Sequence, residues 1–132
     1  MRFIMQACCG SRRLSRGDAM RFLMLVCRDP SIAFNAVERA SVGPLVHAWV
    51  AEMEQRGVRL LGDVLAPVEA TLSVRLRAGG VEVDSGPRTE TSAPASGFNL
   101  LECANVEEAI EVSAKHPIAR FGVIELRPII ED

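Results

Sequence analysis

A chain of 132 residues, 48% of them apolar, can bury a core of its own, so one domain is expected and no disulfide staples are required. Its 15 basic and 17 acidic side chains leave a formal charge of -2, which offers no broad positive field to a phosphate backbone and no polybasic tract to anionic lipid. No apolar run approaches the ~20 residues of a membrane span, so nucleic acid and membrane are set aside as partners and a cytoplasmic setting is expected.

The chain opens with a small repeat: Met1-Arg2-Phe3-Ile4-Met5 is echoed by Met20-Arg21-Phe22-Leu23-Met24. Between the copies, Gly10 to Ala19 is rich in Ser, Arg and Gly and has no periodicity, so it reads as a linker. Residues 1–19 are taken as an extension, arising from an upstream start or supplying an extra strand to a sheet edge, and the domain as residues 20–132. The apolar opening is shorter than a signal-peptide core and runs into Arg12, Arg13 and Arg16. Cys8 and Cys9 are vicinal, a spacing that strains a disulfide, while Cys27 and Cys103 sit in apolar runs as small hydrophobes. With no Cys-x-x-Cys and no Cys/His cluster, neither a metal site nor a cofactor is expected.

Phe22 to Cys27 is an apolar run closed by Asp29-Pro30, the length of a buried strand. A helical pattern follows from about Ala33 to Arg56, with Val46, Trp49, Val50 and Met53 at i, i+3, i+4 and i+7, and Gly57 stops it. Pro44 lacks an N–H and crowds the preceding turn, so the helix is expected to kink there or to begin there. Val58 to Leu65 reads as a second strand.

The clearest β signal comes next. Leu72, Val74 and Leu76 alternate with Ser73, Arg75 and Arg77, and Val81 and Val83 alternate with Glu82 and Asp84 across a Gly79-Gly80 turn. That turn sets Leu76 opposite Val83 and Arg75 opposite Asp84, and a slip by one residue would place apolar side chains against charges. Ser85 to Ser96 is a long loop, and long loops within compact domains often carry function. Phe98 to Cys103 returns to strand. Asn105 and Glu108 form a capping box for a helix with Val106, Ala109 and Ile110 as its buried stripe, Glu111 and Lys115 as an i,i+4 pair, and a stop at Pro117. Phe121 to Ile130 is the last strand, with Pro128 near its end.

Strand, helix, strand, hairpin, strand, helix, strand is the pattern of an α+β domain with two helices on one face of a mainly antiparallel sheet. The other face is too rich in Val, Leu and Ile to stand in water, so a second copy of the chain is expected to cover it.

Val81 through Glu102, with His116-Pro117 and Gly122-Val123-Ile124-Glu125-Leu126-Arg127-Pro128, resembles the YCII-related proteins, in the branch named for an Asp-Gly-Pro-Phe motif. The likeness spans nearly all of Met20 to Ile130. It implies a ferredoxin-like fold that pairs into a dimeric α/β barrel, a cleft near the hairpin loop, and a family whose members mostly have no established activity. Gly86-Pro87 match the centre of the motif and Glu90-Thr91 the residues after it, but Ser85 stands at the motif's Asp and Arg88 at its Phe. Asp84 lies one residue earlier, which in a strand means the opposite face.

Candidate site residues follow. His116 is placed for acid–base work by an imidazole's near-neutral titration, against a plainer role at the negative end of a helix dipole. Asp84 is a second catalytic candidate, against an ion pair with Arg75. Arg88 could anchor a small anionic ligand, with Ser85 and Glu90 beside it, against a solvated loop arginine. His47 is a further ligand-binding candidate on the first helix, against the resemblance, which places the histidine that some relatives carry on Val46, about 100° round the helix from His47. Trp49 reads as a core anchor. Two function classes stand: a dimeric small-ligand-binding protein that has lost its catalytic groups, or a lyase, isomerase or hydrolase using His116 and Arg88. A third, an accessory protein for a regulatory partner, has no residue pattern of its own.

Overall fold

The computed structural model describes residues 18–131, and the expectations for Cys8, Cys9 and the first copy of the repeat, Met1 to Met5, lie outside them. In chain order the elements are β1 (Met20–Arg28), α1 (Ala36–Gln55), β2 (Arg59–Val64), β3 (Leu72–Arg77), β4 (Gly80–Ser85), β5 (Ala95–Cys103), α2 (Val106–Ala114) and β6 (Gly122–Pro128). Short 3-10 turns occupy Val68–Ala70 and Pro117–Arg120. Four strands form one antiparallel sheet in the order β2-β5-β1-β6, so the two halves of the chain interleave, and the α+β architecture is consistent with a ferredoxin-like fold. None of the described helices is long and apolar enough to cross a membrane.

Period-two alternation sorts the central strands into two faces. Phe22, Met24 and Val26 of β1, with Leu101 and Cys103 of β5, are buried beneath Trp49 and Met53 of α1 and Ala109 and Val112 of α2. Leu23 and Leu25, with Phe98 and Leu100, occupy the opposite face, where no helix lies, and stay half-buried. The helices are locked side by side. The Trp49 indole Nε1–H donates to the Val112 carbonyl at 3.0 Å, Arg56 reaches Glu108 and Glu111, and Lys115 reaches Glu52.

α1 begins at a capping box: Asn35 Oδ1 accepts from the Glu38 N–H at 2.8 Å and Glu38 accepts from the Asn35 N–H at 2.9 Å. With those first-turn donors satisfied, the helix starts there and runs through Pro44, so the alternative of a start at Pro44 fails. At α2 the Asn105 cap holds, but Glu108 reaches one residue further back, to the Ala104 N–H. The buried stripe of α2 is Ala109, Val112 and Ser113; Ile110, read as part of it, is 56% exposed, because it is turned about 100° from Ala109.

The hairpin forms a separate two-stranded sheet, and its register corrects the expected one. Leu76 faces Val81 and Arg75 faces Glu82, with Ala78-Gly79 as the turn in place of Gly79-Gly80. A slip of two leaves every side chain on its face, so alternation alone does not detect it. The Arg75–Asp84 pair survives as a diagonal contact of 2.8 Å. Leu72, Val74, Leu76, Val81 and Val83 are each more than half exposed.

Gly122 opposes Arg28 so closely that a Cβ there would lie 2.0 Å from the Cys27 carbonyl oxygen. Backbone cannot swing aside as a side chain can. Gly122→Ala is expected to destabilise the fold by about 1–3 kcal/mol, read as a lowered urea midpoint at unchanged m-value; an unchanged midpoint would contradict the close approach.

Candidate functional site

The residues singled out in the sequence divide between two places within one chain. Asp84 is on the hairpin and held by Arg75, and Ser85 and Arg88 follow it in chain. Glu90, with Gly86 and Pro87, lines an open cavity of about 680 Å³ at the root of the hairpin, walled by Leu65 to Thr71. His47 and His116 line a different cleft, and neither Asp84 nor Arg88 is among the residues that line it.

This second cleft, about 510 Å³, lies on the helix side of the sheet between α1 and the β2–β5 edge. Val26, Val46, Trp49, Val50 and Ile118 give it apolar walls, and Gly62 and Gly97 contribute no side chains to it. Its enclosed polar groups come from β2, β5 and the chain after α2, and the exposed His47 adds one from α1. Asn99 is only 5% exposed, on the helix-facing side of β5 opposite Met24. Its Oδ1 accepts from Arg59 Nε–H at 2.7 Å, and Arg59 Nη1 pairs with Glu54. The absence of a Cβ at Gly62 makes this possible: one built there would lie 2.3 Å from Asn99 Oδ1 and 2.8 Å from Arg59 Nη2.

His116 is 4% exposed and caps the 3-10 turn that follows α2, its Nδ1 accepting from the Ile118 N–H at 3.1 Å. Its ring meets the Trp49 ring edge-on at 4.8 Å. Burial lowers its pKa to about 4. At neutral pH it is therefore uncharged, and because Nδ1 is an acceptor, the proton sits on Nε2. The expected charge–dipole role at a helix end is replaced by this neutral cap: α2 already ends at Ala114.

Compared with known proteins, the chain matches the family model of the YCII-related domain over residues 20–131. The chain belongs to the YCII-related family. It is also 30% identical over 99 residues to an uncharacterised protein of Rhizobium meliloti (strain 1021), covering 62% of this chain and 80% of that one. In this YCII-related domain Val46 lines the helix-side cleft, and the exposed His47 lines it too.

Arg59 and Asn99 were not among the residues singled out. Arg59 stands in a strand that reads as an apolar run, and a bulge between Arg59 and Leu61 sets its face. Asn99 had a usable signal: a lone amide inside Phe98 to Cys103, on the side of the strand that Leu101 and Cys103 bury.

The His116 geometry sets a pH dependence. A folded-state pKa of about 4, below the ordinary 6.5, means the unfolded chain takes up a proton first, so stability is full above about pH 7 and falls as pH drops from 6.5 towards 4. His116→Asn keeps a capping acceptor and removes the titration. Its unfolding free energy from urea titration is expected to fall less between pH 7 and 4.5 than the parent's, by of order 2 kcal/mol; parallel pH profiles would refute the neutral buried imidazole.

Proposed function

We propose that this YCII-related protein is a cytoplasmic homodimer that binds a small ligand in the helix-side cleft, without acid–base catalysis by His116. The observation that carries the reading is the cleft itself: about 510 Å³ of largely apolar wall with Asn99, His116 and Arg59 placed among it. Pockets that hold small molecules have this make-up, many apolar contacts and a few fixed polar ones. A general base needs a pKa near the working pH, and an imidazole held neutral to about pH 4 is a weak base at pH 7. Ser85 and Arg88, where the Asp-Gly-Pro-Phe branch has its acid and its aromatic ring, agree with a protein whose catalytic groups have been lost.

Pairing rests on the bare sheet face. Leu23, Leu25, Phe98 and Leu100 on the central strands are joined by Leu61 on β2 and Val123 on β6. Two such faces packed together give the α/β barrel, with the helices outside and a two-fold axis between the sheets.

Both halves of the proposal are testable. Light scattering on the eluting protein is expected to give twice the 14.3 kDa of one chain, and Leu100→Glu is expected to give a folded monomer; a monomeric parent would end the barrel reading. In a thermal-shift screen of metabolites, a ligand that binds the folded form raises the melting temperature. Val46→Phe, which fills the cleft, is expected to abolish the shift of a hit while Arg88→Ala leaves it intact. The reverse pattern would move the site to the hairpin loop.

A further inference from the structure

The hydrogen bonds already made inside the cleft decide which ones remain to be made. Arg59 uses Nε on Asn99 and Nη1 on Glu54, and its Nη2 has no hydrogen-bond partner among the described residues, although its side chain is only 11% exposed. Because Asn99 Oδ1 is occupied by that Nε–H, the amide is fixed in one orientation, with Nδ2 directed at the Met24 thioether at 3.9 Å, a weak acceptor. His116 has Nδ1 occupied, so its Nε2–H is the group left over. Three nearly buried side chains thus offer hydrogens and no acceptor.

Of the other polar side chains lining the cleft, His47 is exposed to water and stands outside this enclosed set. Ser96 Oγ–H donates to the Val26 carbonyl at 3.2 Å, and Asp63, the only carboxylate among the lining residues, pairs with Phe98 and so belongs to the opposite face of β2, where it is exposed. The Trp49 N–H is spent on Val112.

We infer, resting on the ligand-binding reading above, that the cleft takes a carboxylate with an apolar tail, its oxygens held by Arg59 Nη2 and Asn99 Nδ2 and its tail against the valines and Trp49. A carboxylate accepts only, which matches a donor-only inventory, and its planar oxygens suit the planar guanidinium and amide. A neutral amide would bring an NH₂ group against these donors. An amine would bring a second cation beside Arg59. The apolar walls favour a hydrocarbon tail over a fully hydrated inorganic anion.

Trp49 is the chain's single tryptophan and lines the cleft, so its emission reports occupancy directly. The dimeric or monomeric full chain, as purified, is titrated with hexanoate, hexanamide and hexylamine. Hexanoate is expected to change the emission saturably, hexanamide to bind at least tenfold more weakly, and hexylamine not to bind. Arg59→Lys, which keeps charge but loses the fork, and Asn99→Asp, which turns a donor into a like charge, are each expected to weaken hexanoate at least tenfold, with folding checked by circular dichroism. Hexanamide matching hexanoate, or an unweakened Arg59→Lys, overturns the carboxylate assignment and leaves a ligand cleft standing. No response to any of the three probes overturns both the assignment and the cleft as a ligand site.

Discussion

Two helices must share one side of a four-stranded sheet, and the hydrogen bond from the Trp49 indole to the Val112 carbonyl is where they are held together. Both partners are buried, so the bond satisfies a donor and an acceptor that would otherwise be stranded away from water. The ring does more than pin helices. One side meets the His116 imidazole, which keeps that residue desolvated and neutral, and the residue also walls the helix-side cleft. A core anchor and a cleft wall are therefore the same side chain, and the sequence reading of Trp49 as core describes half of what it does.

Much of the fold is legible because it follows from periods. The apolar run Phe22 to Cys27 names a buried strand and the i, i+3, i+4, i+7 stripe through Met53 names a helix face, and the chain buries both, Phe22, Met24 and Val26 against Trp49 and Met53. What period does not contain, it does not reveal. The hairpin slipped by two residues, which preserves every facing; α2 turned its stripe towards Val112 because Trp49 and Met53 approach from that side; and Asn35 capped α1 upstream of a proline that looked like a boundary.

The candidate site was less legible, for a related reason. Family likeness directs attention to the hairpin loop, where Asp84 and Arg88 are, whereas the enclosed polar groups lie under α1. In a regular strand Arg59 and Gly62, three residues apart, would point to opposite faces. The bulge at Leu60 pairs Arg59 with Leu101 and Gly62 with Asn99, both on the helix side, and so brings the guanidinium over the glycine and onto the amide. One extra residue in a strand has no signature in an apolar run.

β5 carries both halves of the proposed function on alternate residues. Asn99 faces the cleft, while Phe98 and Leu100, its immediate neighbours, belong to the bare face on which a second copy would pack. The two surfaces are thus back to back across one layer of sheet, and β5 is paired on both sides, to β1 and to β2. A strand hydrogen-bonded along both edges shifts as part of its sheet or not at all, so filling the cleft leaves the opposite face nearly unmoved. On this geometry ligand binding and pairing are neighbours in space that remain energetically separate, unless β2, the outer strand with the bulge and Arg59, moves relative to β5.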